Sequence, residues 1–142
     1  MTDLLELGKW SLSQQPFSCL MDTKFEKAEK GDVVLSLDIR DEFKQNYGAV
    51  HGGVISYMID VGLAYAAASE IRDCVTSELK INYLRPAMGE KIVARAKSIH
   101  VGSRQVVCEC QVFSRDAEEE VLVAIGIGTV NRLGEAGKKS AS

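Results

Sequence analysis

The sequence is poor in the features that build metal centres, leaders and nucleic-acid surfaces. It has two histidines, His51 and His100, far apart in the chain, and four cysteines, Cys19, Cys74, Cys108 and Cys110, with no C-x-x-C spacing. Structural zinc needs such pairs within a few residues of each other, so no metal is expected. Cys108 and Cys110 lie two apart in a strand-like stretch, which puts both on one face as small apolar packing residues. Basic residues number 17 against 20 acidic ones, with no Lys/Arg run and a formal charge of -3. A mildly acidic chain of this kind lacks the electrostatic footprint of a binder of nucleic acid or anionic membrane. Asp3 and Glu6 precede any apolar stretch, so no signal peptide is expected, and no charge-free apolar run reaches the roughly 18 residues of a membrane span. These absences describe a soluble protein of a reducing compartment, with the cytoplasm as the expected location.

What is present fits one globular domain. The 142 residues are 46% hydrophobic and 26% charged, and a chain of this length buries enough surface to need no covalent staples. The two prolines, Pro16 and Pro86, punctuate it. Residues 1–16 read as a short helical arm that Leu4, Leu5 and Leu7 could dock and that Pro16 ends. Phe17 to Ala28 could be a first strand, and Val33 to Ile39 a second, after the turn at Glu29-Lys30-Gly31-Asp32. Gly53 to Ser69 is too long for a strand and carries four alanines, so it reads as a helix. It is apolar nearly all round and therefore expected to be buried, with Gly62 and the alanines allowing close approach. Four further strands are predicted over 76–84, 91–101, 105–113 and 121–130, and residues 132–142 read as a flexible tail. A curved antiparallel sheet over residues 17–131, wrapped around one long helix, would be an α+β arrangement.

The chemistry concentrates at Asn46-Tyr47-Gly48-Ala49-Val50-His51-Gly52-Gly53 and at Asp60. The first N–H groups of a helix have no internal partner and sit at its positive end, so they can bind an oxygen carrying negative charge. Glycine at 52 and 53 would let a substrate carbonyl come close to them, though Gly-Gly before a helix is also an ordinary turn. Asp60 is a lone carboxylate in an apolar helix: either a structural cap satisfied by a neighbouring loop or a catalytic group. His51 is either a turn residue with a local hydrogen bond or a base. Asp60 lies eight residues beyond Gly52, about 12 Å along a helix axis, whereas reacting atoms must come within about 3 Å. If both act on one carbonyl, a second, antiparallel copy must supply one of them, giving two composite sites per dimer.

The pattern resembles the PaaI-type hotdog thioesterases, whose signature is His-Gly-Gly, six intervening residues and then Asp, as in His51-Gly52-Gly53 and Asp60. The stretch from Thr76 to Ala87 is similar to the family's next strand, with Tyr83-Leu84-Arg85-Pro86-Ala87 as its aromatic-x-x-Pro-Ala ending. The resemblance implies a five- or six-stranded antiparallel sheet around the long helix, and a homodimer with a continuous sheet, often paired into a tetramer. It implies hydrolysis of an aryl-acyl- or fatty-acyl-CoA to free acid and coenzyme A, with neither metal nor cofactor. Asp60 would be general base or nucleophile, the Gly52 N–H would polarise the carbonyl, and Asn46 would position water or thioester. Thr76 would assist the carboxylate and His51 would orient the turn. In some members one more residue separates the Asn from the His. Coenzyme A carries phosphates, for which Arg104, Lys80, Arg85 and Lys91 are candidates, while Gly53 and Tyr57 are candidates for contact with the substrate.

Two other functions compete. An acyl-thioester dehydratase on the same fold would carry a proline near its histidine, and none stands near His51. A hotdog that binds acyl-CoA without cutting it is the second, since fold alone does not fix function; against it stands the carboxylate at Asp60.

Overall fold

A computed structural model describes residues 3–117 and 119–134. In chain order it has α1 (Leu4–Ser13), α2 (Pro16–Met21), β1 (Lys24–Glu29), β2 (Asp32–Asp38), a 3-10 turn (Asp41–Phe43), α3 (Gly52–Ile71), β3 (Cys74–Tyr83), β4 (Lys91–Val101), β5 (Gln105–Arg115) and β6 (Glu120–Arg132). The strands form one antiparallel sheet in the order β1-β2-β4-β5-β6-β3. It curls around α3, which packs against β2, β3, β4, β5 and β6. This is the hotdog fold.

The alternation along β4, β5 and β6 sends Ile92, Ala94, Val106, Val112, Val123 and Val130 inward, where they close over Met58, Ile59 and Leu63 of α3. Each fully buried aliphatic side chain of this size contributes about 1.5–3 kcal/mol of burial free energy. Gly62 lets the sheet come close, since a Cβ there would lie 3.2 Å from the Ala96 Cβ and 3.3 Å from the Cys110 Sγ. By length and composition α3 could cross a membrane, but 56% of its most apolar 18-residue window is buried inside the molecule; it is the core helix, wrapped by the sheet.

The arm departs from expectation. Pro16 does not end a helix; it opens α2, where its fixed φ suits the first helical position and its missing N–H is not needed. Phe17 to Met21 is therefore helical rather than strand, and β1 begins only at Lys24. The helical arm thus runs past residue 16 to Met21, where Asp22 leaves α2 with φ 53°. Asp3 caps α1, its Oδ1 accepting from the Leu5 and Glu6 N–H groups. At the other end, Arg132 belongs to β6 and not to a tail; residues 135–142 of the expected tail lie outside the described residues.

Candidate active site

The loop before α3 is fixed by its own backbone. Lys44 and Val50 form a β-bridge, Gln45 N–H donates to Ala49 C=O at 2.8 Å, Gly48 N–H to Gln45 C=O at 3.0 Å, and His51 N–H to Phe43 C=O at 2.8 Å. Gly48 turns the loop at φ 92°, a conformation that favours glycine. Val50 N–H donates to Ala87 C=O at 3.0 Å, tying the loop to the segment after β3. The Pro86-Ala87 phrase thus helps hold the start of α3.

At that start the donors are almost all spent. His51 is the N-cap: its Nδ1 accepts from the Gly53 N–H at 2.8 Å. Its carbonyl accepts from Val54 at 3.0 Å and Ile55 at 3.5 Å. Of the first four N–H groups of α3, only that of Gly52 has no acceptor among the described residues. With Nδ1 engaged as an acceptor, the N–H of a neutral His51 sits on Nε2. The Gly52 carbonyl is held too, by the hydroxyls of Ser56 at 2.9 Å and Tyr83 at 3.2 Å, which also bond to each other. The Tyr83 ring lies over Gly52, where a Cβ would meet it at 3.4 Å. Beside Gly52 a cavity of about 390 Å³ opens between the loop and the end of β3, lined by Gln45, Val50, Ile55, Tyr83, Arg85 and Pro86 among others.

Asp60 is exposed, contrary to the expectation that it is buried in the core helix. The sheet covers α3 on most sides but leaves one strip uncovered, carrying Gly53, Ser56, Tyr57, Asp60 and Ala64 at helical spacing. That strip is small or polar, so an apolar composition all round did not require burial all round. Asp60 has no hydrogen-bond or ion-pair partner among the described residues, so it caps no described loop.

The other candidates are scattered. Asn46 is exposed and does not line the cavity beside Gly52; its neighbour Gln45, half-buried, does. Sequence reading passed over Gln45, although the one-residue variation in the family's Asn–His spacing points to position 45. Thr76 sits half-buried at a bulge in β3, paired with Val130, and seven residues from Tyr83, about 23 Å along an extended strand. Arg104 lies in the β4–β5 turn, its carbonyl accepting from the Arg132 N–H at 2.7 Å. Because Arg132 pairs with Cys74, Arg104 is at the far end of the sheet from its own Gly52. Tyr57 stands on the open strip with its hydroxyl 2.6 Å from Thr23 Oγ1 and donating to Ser18 Oγ at 3.0 Å.

This architecture has relatives of known class. The profile described as the thioesterase superfamily matches residues 47–121. The 1,4-dihydroxy-2-naphthoyl-CoA hydrolase of Listeria monocytogenes is 30% identical over 105 residues, 72% of this chain and 83% of that protein. Among solved structures, a thioesterase family protein from Silicibacter pomeroyi superposes with a TM-score of 0.86 at 25% identity, covering 91% of this chain and 97% of that one. The E. coli PaaI protein from the phenylacetic acid degradation operon shares the fold, with a TM-score of 0.80 at 20% identity and 92% and 96% coverage. The chain belongs to the thioesterase superfamily.

Proposed function

We propose that the protein is an acyl-CoA thioesterase of the PaaI type, hydrolysing an aryl-acyl- or fatty-acyl-CoA to free acid and coenzyme A. The observation that carries this reading is the pairing of one uncommitted donor with one uncommitted carboxylate. Among the described residues, the Gly52 N–H is the free donor at the positive end of α3, and Asp60 is the unpartnered acid on the open strip. In the reaction, the thioester oxygen accepts from the Gly52 N–H. Asp60 takes a proton from a water as that water bonds to the carbonyl carbon. The tetrahedral intermediate places its negative oxygen on Gly52 and then collapses, breaking the C–S bond; the departing thiolate takes the proton held by Asp60, which restores the carboxylate. His51 keeps the turn in shape through its cap on Gly53, and Gln45 or Asn46 orients the water or the thioester. The reaction so written uses no metal and no cofactor beyond the coenzyme A of the substrate.

Gly52 and Asp60 of one chain stand too far apart to share a carbonyl, so the site is composite. A homodimer with antiparallel α3 helices supplies each Gly52 with the partner's Asp60, and two dimers pair into a tetramer. Thr76 and Arg104 then serve from the copy that gives Asp60, Arg104 toward the coenzyme A phosphates. The relative named as a naphthoyl-CoA hydrolase supports a CoA thioester as substrate, and four free thiols fit a cytoplasmic protein.

The test is thiol release from a panel of aryl- and fatty-acyl-CoAs by wild type and Asp60→Asn. Hydrolysis by wild type and a loss of at least about 10²-fold in the variant is the expected result. Binding of the esters by both proteins without thiol release would replace this reading with that of an acyl-CoA-binding module.

A further inference from the structure

Phe17 is an aromatic residue left 57% exposed on α2, and Leu20, three residues on and 65% exposed, extends the same apolar face. Phe17 meets Tyr57 edge-on, with ring centroids 5.1 Å apart and planes at 79°. Tyr57 cannot swing away from this contact without breaking its bonds to Thr23 and Ser18. Those hydroxyls are themselves buried, Ser18 at 3% exposure and Thr23 at 8%. Tyr57 is therefore held in place, and Phe17 packs edge-on against it to extend its apolar surface. Its position is set by the helix period: Tyr57 is three residues before Asp60 on the open strip, so their Cβ atoms are about 5–6 Å apart.

We propose that Phe17 is a specificity-determining residue that forms the wall of the acyl site, and that this wall selects acyl groups with a bulky apolar body over acetyl. This rests on the reading of Asp60 as the group that activates water. A carbonyl carbon attacked by a water held on Asp60 lies within about 3–3.5 Å of that water, so the carbons beyond it come within a side chain's reach of Tyr57 and Phe17. An aromatic acyl group adds a third ring to an existing edge-to-face pair, which is the favoured geometry between rings. A long alkyl chain follows the same face toward Leu20. Acetyl is too short to touch either. The arm, which contributes nothing to the sheet, thereby acquires a function in choosing the acyl group.

The experiment compares kcat/KM for acetyl-, octanoyl-, benzoyl- and phenylacetyl-CoA in wild type, Phe17→Ala and Phe17→Leu, with the size of each protein measured alongside. In parallel, phenylacetyl-CoA binding is measured by calorimetry in Asp60→Asn with and without Phe17→Ala. Expected is a roughly tenfold fall for the octanoyl and the two aryl esters in Phe17→Ala, little change for acetyl-CoA, recovery of octanoyl-CoA but not of the aryl esters in Phe17→Leu, and a matching loss of binding in the Asp60→Asn pair. An equal fall for all four esters, no fall for any, or a change in oligomeric state would overturn the proposal. Absence of thiol release by wild type from every ester sinks the thioesterase reading instead, and the calorimetric pair then decides Phe17 alone: unchanged binding overturns its role.

Discussion

Gly52 and Asp60 lie two turns apart on α3, close to one uncovered strip of the helix, and neither has a partner for its functional group among the described residues. About 12 Å of helix separates them, so one chain cannot bring both to a single carbonyl. Ser56 is midway, four residues from each. If each Gly52 faces the partner's Asp60, the two-fold axis passes beside Ser56, and Ser56 faces its own copy. In a Cys19→Ser background, Ser56→Cys is expected to form a disulfide-linked dimer on mild oxidation, since a disulfide needs Cα atoms within about 7 Å. Ala64→Cys, about 12 Å further along each helix and so about 24 Å from its copy, should stay unlinked. Non-reducing electrophoresis reads the result. A monomeric wild-type protein, or linkage at 64 and not at 56, would remove the composite site.

The core helix and five of the strands, β2 to β6, could be read in the sequence because each carries a period that packing then obeys: Lys91–Val101 alternates and is β4, and the long apolar run is α3. The arm was misread for a physical reason. Pro16 is as good a helix opener as it is a breaker, and Phe17, Leu20 and Met21 follow the helical i, i+3, i+4 spacing that the strand assignment ignored. The exposure of Asp60 was not legible, because which side of α3 stays open depends on how far the sheet closes around it. The place of Arg104 was hidden likewise, since only strand register sets it beside Arg132 rather than beside Gly52. Gln45 lies one position from Asn46, and only the folded loop shows which of the two lines the cavity.

Substituting Gly52 separates catalysis from folding. Its Cβ would meet the Tyr83 ring at 3.4 Å, an ordinary contact, so Gly52→Ala should fold with a melting temperature close to wild type. The added methyl stands beside the free N–H and obstructs the carbonyl, and kcat/KM should drop by about 10–10²-fold. Gly53→Ala should behave differently, because a Cβ there lies 3.0 Å from His51 Nδ1 and disturbs the cap, lowering stability by about 1 kcal/mol. Thermal melts and steady-state kinetics on the two variants decide this. Equal effects on both quantities in both variants would deny Gly52 its special place.

The thiols make a second separable prediction. Burial pushes Cys108 and Cys110 up to about 12 and Cys74 up to about 11, so none forms thiolate readily near neutrality. Cys19 is exposed. Titration of native protein with a chromogenic disulfide reagent at pH 8 should therefore show one fast thiol per chain, lost in Cys19→Ser, and four after denaturation. More than one fast thiol in the native protein would mean that the core under β5 opens more readily than its packing implies.

Acid should unfold the protein through a cluster on the sheet's outer surface. Arg95 and Arg115 both donate to Glu120, and Arg115 also donates to Glu26 at 3.0 and 3.1 Å, which links edge strand β1 to β4, β5 and β6. The hydrogen bonds from Arg95 outweigh burial and, with Arg115, hold the Glu120 carboxyl down at about 2. At Glu26, burial pushes upward but the bonds from Arg115 prevail, and its carboxyl also ends below the usual range. A carboxylate depressed in the folded state binds its proton more readily when unfolded, so its contribution is fully present above the unfolded value near 4.5 and is lost as pH falls toward 2. Urea unfolding at a series of pH values between 6 and 2.5 should show stability declining below about pH 4.5. The decline should be shallower in Glu120→Gln, which is less stable than wild type at pH 6 and has no such proton to take up. Parallel curves for the two proteins would mean that the acid sensitivity arises elsewhere and that this cluster contributes little to holding β1 on the sheet.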